Sequence, residues 1–345
     1  MSQFAESQAG ARPMAAWPNS KTALAGVVGF PVSRSLSPLL QNAAFAAMGL
    51  DWSYVAFEVP PGSLERAVAG AAALGLRGLS VTTPHKDGAA RVATRRSRRV
   101  RRLGAANTLT FDRSAILAES YDGEGLLDDL RHGGFDPAGR RCGVIGAGGA
   151  ARAAVLALAE AGVREVVIVN RTVAAAWRSA ALAPKVARVG RPEDLRRMDL
   201  VVQATSVAMV GERPVAEAAP TDPVDPTAPV EPVQSTGAAL AGEGPSGVGS
   251  AVVAGVDPSW FGSGQLVVDL VYDPPLTPFL AEARHQGATV RNGLGMLVYQ
   301  AARQIRLWTG TEPPLSAMWA VVDGEGFSWQ GGVSGPGGWE SGTGS

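Results

Sequence analysis

The stretch Arg141-Cys142-Gly143-Val144-Ile145-Gly146-Ala147-Gly148-Gly149-Ala150-Ala151 decides the fold. An apolar strand from Arg141 to Ile145 runs into a glycine turn, and an alanine-rich helix from Ala150 to Ala161 follows. A second strand, Glu165 to Asn170, completes a βαβ unit of about 30 residues, the context that turns a glycine string into a dinucleotide-binding signal. Gly146 and Gly148 permit the tight turn and the close approach of backbone to a pyrophosphate, and the small Ala151 permits helix–strand packing. The helix start offers free N–H groups and a positive dipole end to phosphates. Gly146, Ala147, Gly148, Gly149 and Ala150 are therefore the first candidate cofactor residues.

Downstream, the second strand ends at Asn170-Arg171-Thr172, 24 residues after Gly146. A fold preferring NAD places an acid there to hold the ribose 2′-hydroxyl. An amide followed by a guanidinium suits a 2′-phosphate instead, which arginine can grip bidentately. NADP is the expected cofactor. Strands Leu200 to Ala204 and Leu266 to Val271 continue the pattern and complete a Rossmann-type domain.

Upstream, strands Leu24 to Phe30, Trp52 to Val59 and Gly78 to Val81 alternate with helices Pro38 to Met48 and Leu64 to Leu74. That alternation predicts an α/β layer with parallel pairing. A chain of 345 residues favours two domains. The second unit is expected to start at Arg140. Residues 91–102 carry seven arginines and no acid. They read as a solvated helix, or as a rim that attracts anionic ligands. Residues 211–250 hold seven prolines, six glycines, six acids, one arginine and no aromatic, which predicts a disordered insertion. Residues 1–20 and the glycine-rich tail 322–345 read as flexible.

Composition narrows the function. Lys+Arg 31 balance Asp+Glu 31, which argues against a nucleic-acid-binding surface. The single cysteine, Cys142, excludes a disulfide framework and reads as core packing, and three scattered histidines offer no metal cage. No metal is expected. No apolar run approaches the ~20 residues needed to span a bilayer, and a cytoplasmic protein without membrane partners is the expectation.

Several residues have side chains suited to a small polar substrate. Ser37 suits a helix N-cap and Pro38 the first helical position, while Ser35 and Ser37 together could cradle a carboxylate. With Thr83 as the expected cap and Pro84 in the first turn, Lys86 sits near a helix N-terminus where a cation is disfavoured, a setting for a lysine that exchanges protons. Asp122 precedes the helix Leu126 to Arg131. It either caps that helix or pairs with Lys86 and holds a substrate hydroxyl. Asn107 is compatible with a turn and says little alone.

In order along the chain, these pieces resemble the shikimate dehydrogenase family. The matching stretches are Gly29-Phe30-Pro31 with Ser35-Leu36-Ser37-Pro38, Val81-Thr82-Thr83-Pro84-His85-Lys86, Gly104-Ala105-Ala106-Asn107-Thr108-Leu109 and Asp122-Gly123. They continue with the Gly146 turn, Asn170-Arg171-Thr172, Ala204-Thr205-Ser206, Asp269-Leu270-Val271-Tyr272-Asp273-Pro274 and Gly293-Leu294-Gly295-Met296-Leu297-Val298-Tyr299-Gln300.

The resemblance implies NADP-linked interconversion of 3-dehydroshikimate and shikimate, on the route to aromatic amino acids, by a monomer or homodimer. It implies Lys86 and Asp122 as the catalytic pair, Ser35 and Ser37 on the substrate carboxylate, and Thr82, Asn107, Asp122 and Gln300 on hydroxyls. Tyr272 would line the substrate site. Ala204, Thr205, Ser206, Gly293 and Met296 would join Asn170, Arg171, Thr172 and the glycine turn around the cofactor. It also implies a substrate domain over 21–121, completed by a last helix, 293–320, and a cofactor domain over 122–292.

The chain departs from the family pattern at Ser80 for asparagine, Gln41 for histidine, Gln203 for asparagine, Ala208 for glycine and Ser120-Tyr121 for Asn-Thr. The Ser80 and Tyr121 changes keep open a quinate or related cyclohexane hydroxy-acid dehydrogenase. A non-catalytic NADP- or metabolite-binding regulator is the alternative outside enzymes, against which the joint presence of Lys86, Asp122, Asn107 and Gln300 speaks.

Overall fold

The computed structural model describes residues 18–113, 115–205 and 251–323. The predicted disordered insertion, residues 1–17, Ser206, Ala208 and the tail from 324 lie outside the described residues. Two six-stranded sheets organise the rest.

The first sheet holds β1 (Ala23–Gly29), β2 (Trp52–Glu58), β3 (Gly78–Val81), β4 (Arg95–Arg96), β5 (Thr108–Asp112) and β6 (Ala115–Glu119), in the order β2-β1-β3-β5-β6-β4. β1, β2 and β3 pair in parallel as expected. β5 then joins β3 antiparallel and turns back into β6, so the sheet becomes mixed beyond the three strands read from the sequence. The reason is local, since the β5–β6 hairpin has no room for the crossover helix that parallel neighbours need.

The arginine-rich stretch is not one helix. It divides into the end of α3 (Lys86–Val92), the edge strand β4 and the short α4 (Arg98–Leu103), which the Ser97 side chain caps by accepting from Val100 N. Charged residues on a two-residue edge strand also discourage edge-to-edge pairing.

One face of the first sheet is covered by α2 (Leu64–Ala73), α3 and α4, through Val68, Leu79, Ala89 and Val100. The other face is covered by α1 (Ser37–Ala47) and by two helices from the chain's end, α9 (Leu294–Thr309) and α10 (Leu315–Asp323). The last stretch was expected as a single helix over 293–320. Gly310 takes the left-handed conformation at φ 74° and ends α9, Pro313-Pro314 follow, and α10 then runs through Asp323 into the predicted tail.

The second sheet is wholly parallel. It is built from β7 (Arg141–Ile145), β8 (Glu165–Val169), β9 (Ala187–Val189), β10 (Leu200–Gln203), β11 (Leu266–Asp269) and β12 (Thr289–Arg291), in the order β12-β11-β10-β7-β8-β9. These central strands are near-continuous apolar runs because helices, α8 (Pro278–His285) among them, cover both faces. Strand order reverses between β7 and β10, so a crevice opens at their carboxyl ends, where ligands bind in such sheets. Cys142 is fully buried there and burial pushes its thiol up to about 12, which suits packing rather than reactivity. Among the described residues no helix is long and apolar enough to cross a membrane.

At the end of β11 the buried Asp269 accepts from Val271 N at 3.0 Å, from the Thr277 hydroxyl at 2.7 Å and from Gln203 Nε2 at 3.3 Å. It thereby holds the loop that carries Tyr272. Burial outweighs these bonds and pushes the carboxyl from 3.8 up to about 6. The folded protein then holds a proton that the unfolded chain has released between about pH 4 and 6. This stabilising contribution is complete below pH 4 and is lost as pH rises through 6. Thermal melts should therefore show Asp269→Asn gaining on the parent as pH rises from 4 to 7. Parallel pH profiles would contradict this assignment.

Candidate active site

The crevice of the second sheet opens against the first, in a cleft of about 350 Å³. Its walls include Gly146, Ala147, Gly148, Gly149, Ala150, Asn170, Arg171, Ala204 and Thr205 on one side, and Thr83, Pro84, Lys86 and Asp87 on the other. Gly146 lies at φ +117°, and a Cβ there would stand 3.1 Å from Thr205 Cγ2 and 3.2 Å from the Ala204 carbonyl oxygen. Only glycine closes this turn. The helix that follows, α6 (Gly149–Glu160), starts with no side-chain cap, so its first N–H groups are left for a ligand.

Thr205 Oγ1 is buried without a partner, and Arg171 is exposed and makes no ion pair among the described residues. An uncapped helix start, an orphaned hydroxyl and an unpaired guanidinium together fit NADP. Asn170 Nδ2 donates to the Thr172 carbonyl at 3.0 Å, shaping the turn that presents Arg171. Thr172 itself is the N-cap of α7 (Val173–Ala180). Gly293 and Met296 do not line the cleft: Gly293 packs against the Leu270 backbone, and Met296 lies in the core of the second sheet.

On the opposite wall, Lys86 is the first residue of α3, with His85 rather than Thr83 at the cap. The His85 ring nitrogen Nε2 bonds the Val59 carbonyl at 2.6 Å and anchors this turn. The Lys86 stem lies along Gly149, where an added Cβ would approach Lys86 Cβ to 3.1 Å. Its ammonium donates to Asp122 Oδ2 at 2.7 Å. Asp122 was expected just ahead of a helix beginning at Leu126. It is instead the first residue of α5 (Asp122–His132), a position that favours a carboxylate.

Asn107 Nδ2 donates to Asp122 Oδ1 at 2.8 Å and to Gln300 Oε1 at 2.6 Å. With its oxygen occupied, Gln300 has its Nε2 group without a protein partner among the described residues. Four of the sequence-predicted residues, Lys86, Asp122, Asn107 and Gln300, thus form one hydrogen-bonded cluster drawn from α3, α5, the loop before β5, and α9.

Ser35 and Ser37 lie at the start of α1. The expected N-cap role of Ser37 is not seen: Leu36 occupies the cap, and Ser37 is inside the helix with its N–H donating to Ser35 Oγ at 3.3 Å. The turn tightens around the Ser35 hydroxyl instead. Burial raises the Tyr272 hydroxyl pKa, partly offset by hydrogen bonds from the Leu36 backbone and the Ser35 side chain. Tyr272 therefore touches the serine turn ahead of α1. Thr82 sits half-buried beside Gly29, its Cγ2 packed against that glycine.

The Tyr121 ring lines a different groove, with Arg303, Arg306 and Tyr299, while its backbone N–H donates to Asn107 Oδ1 at 3.0 Å. The tyrosine does not narrow the cleft at this position.

Sequence reasoning missed the contacts that clamp the two walls. Arg34 Nε meets Asp273 Oδ2 at 2.9 Å, and Asp87, next to Lys86, pairs with Arg152 on α6. Of the arginine run, Arg99 pairs with Glu124 and Glu160, and Arg102 pairs with Glu160, so these two fasten α4 to α5 and α6 rather than lining the cleft. Sequence spacing gives no signal for pairs up to 239 residues apart. Also missed was Gln304, buried one turn after Gln300 on α9; a polar residue within the apolar stripe of that helix was the available clue.

Comparison with known proteins agrees with this geometry. The shikimate dehydrogenase substrate binding domain matches residues 27–109, the shikimate / quinate 5-dehydrogenase family matches 131–222, and the shikimate 5′-dehydrogenase C-terminal domain matches 293–322. The shikimate dehydrogenase (NADP(+)) of Moorella thermoacetica is 39% identical over 313 residues, covering 88% of this chain and 93% of the relative. That of Methanopyrus kandleri is 39% identical over 315 residues, covering 88% and 96%. The crystal structure of shikimate 5-dehydrogenase from Thermus thermophilus in complex with NADP(H) and shikimate superposes with a TM-score of 0.69 at 30% identity, covering 87% of this chain and 98% of that one. With these matches spanning both sheets and the cleft between them, the chain belongs to the shikimate dehydrogenase family.

Proposed function

We infer that the protein interconverts 3-dehydroshikimate and shikimate with NADP, a step in making aromatic amino acids, and that Lys86 and Asp122 carry its proton chemistry. The observation that carries this reading is the 2.7 Å contact between the Lys86 ammonium and Asp122, beside the glycine turn.

NADP, when bound, supplies or accepts the hydride. The turn Gly146 to Ala150 with Ala204, Thr205 and Ser206 would hold its phosphates and nicotinamide side, and Asn170, Arg171 and Thr172 its 2′-phosphate. Gly293 and Met296, which do not line the cleft, would act only indirectly, through packing on the Leu270 backbone and on Gly125.

As the substrate's reacting oxygen changes between alcohol and ketone, Lys86 Nζ gives it or takes from it one proton. Asp122 Oδ2 holds the lysine in the cleft, while Oδ1 is fixed by Asn107. Gln300 offers its free amide N–H group and Thr82 its hydroxyl to the ring hydroxyls. Ser35, Ser37 and the Tyr272 hydroxyl form the carboxylate end. The ion pairs Arg34–Asp273 and Asp87–Arg152 join the two walls. In this reading, residues 21–121 with α9 and α10 form the substrate domain, and 122–292 the cofactor domain.

Shikimate is favoured over quinate because Ser80 is buried beneath the cleft, its hydroxyl tied to Gln304 and Tyr54, and Tyr121 faces the other groove. Purified protein with shikimate or quinate, each with NADP or NAD, should reduce NADP fastest with shikimate. Arg171→Ala should raise the KM for NADP at least about tenfold while changing that for NAD little, the loss expected for one charge-assisted phosphate contact. Equal losses for both cofactors would contradict the assignment of Arg171.

A further inference from the structure

Asn107 is saturated. Its Nδ2 group donates to Asp122 and Gln300, and its Oδ1 accepts from the Thr108 hydroxyl at 2.8 Å and from Tyr121 N at 3.0 Å. A flipped amide would set N–H against the Tyr121 N–H and a carbonyl oxygen against the Asp122 carboxylate, so one orientation is enforced.

What aims the Thr108 proton at Asn107 lies deeper. Gln304 Nε2 donates to Thr108 Oγ1 at 3.0 Å, which leaves the threonine its single proton for Asn107. Gln304 is itself oriented, because its Oε1 accepts from Ser80 Oγ at 2.7 Å and from Gln41 Nε2 at 3.1 Å. Ser80 in turn accepts from the Tyr54 hydroxyl at 2.6 Å. Every donor in the series Tyr54, Ser80, Gln304, Thr108, Asn107 points the same way and the series ends on Asp122. Tyr54, Ser80, Gln304, Thr108 and Asn107 are all buried, so water does not compete for these bonds.

We propose that Thr108 and Gln304 are positioning residues for the reaction: they form a one-way hydrogen-bond relay that locks the Asn107 amide and through it the direction of the Asp122 carboxylate toward Lys86. Neither touches substrate. Gln41 and Ser80 supply the two donors that orient Gln304. The proposal rests on the assignment of Asp122 and Lys86 as the proton-transfer pair.

The test compares Thr108→Val, which keeps the shape and removes the proton, with Thr108→Ser, which restores it. Thr108→Val should lower kcat with shikimate about tenfold, roughly the worth of one hydrogen bond, and leave the KM for NADP unchanged. Thr108→Ser should return kcat to within about twofold of the parent, and Thr108→Val should cost nothing further in an Asn107→Ala background. Gln304→Glu provides an independent arm should Thr108→Val not fold. Its carboxylate accepts the Thr108 proton and reverses the relay at nearly constant shape, so it should show the same loss in kcat at unchanged KM for NADP.

Parental kcat in either folded variant, failure of serine to rescue, or an undiminished cost in the Asn107→Ala background would each overturn the relay. Parental kcat in Asn107→Ala alone would overturn the relay's endpoint as well. Parental turnover in Lys86→Ala would instead sink the proton-transfer assignment itself, which separates the two failures.

Discussion

Lys86→Ala should lower kcat by about a hundredfold to ten-thousandfold, the usual cost of deleting a positioned proton donor, while the dissociation constant for NADP changes little. The split follows from the geometry. The Lys86 stem lies along Gly149, but the proposed anchors of the cofactor are the uncapped start of α6 and Arg171, which the substitution leaves in place. The ammonium end donates to Asp122 and, in the proposed mechanism, serves the reacting oxygen. Stopped-flow or steady-state rates with shikimate, set beside a fluorescence titration with NADPH, check both halves. A parallel loss of NADP affinity and rate would mean that the lysine is a cofactor ligand rather than the proton carrier.

Asp122→Asn should be nearly as damaging, with kcat down by roughly a hundredfold or more, even though the side chain keeps its size. The amide can still accept from Asn107 through its oxygen, so the buried polar cluster survives in outline. Its other end then presents N–H to the Lys86 ammonium, where the carboxylate had accepted at 2.7 Å. Two donors facing each other push the lysine out of line. Leaving a largely buried cation without its partner also costs stability, because removing one member of a buried pair strands the other. The variant's melting temperature should therefore fall, and shikimate turnover should fall far more than the small change in folded fraction explains.

Much of this is legible in the sequence. The glycine turn between β7 and α6 announces the parallel sheet, because few other local sequences pass from a buried strand through three glycines into a helix start. From the residues alone the Lys86–Asp122 pair is one of two readings of Asp122, and only the family resemblance favours it over helix capping, since 36 residues of intervening chain hide the contact. The β5–β6 hairpin escapes such a reading because its strands are short and lie beside an arginine run that reads as helix. The caps expected at Ser37 and Thr83 fall one to two residues away, since a proline marks a helix start without fixing which neighbour occupies the cap. The relay through Gln304 is hidden because hydrogen-bond direction belongs to three-dimensional neighbours and leaves no trace in spacing. The size of Tyr121 suggests a crowded cleft, but the backbone at the start of α5 turns the ring into the other groove.

The most direct measurement is kcat/KM for shikimate in Lys86→Ala, Asp122→Asn and the double variant. If the ammonium and carboxylate transfer the proton as one unit, the double variant should be about as slow as the slower single variant. Should the two losses multiply instead, each group would be acting alone, and the paired mechanism would be wrong.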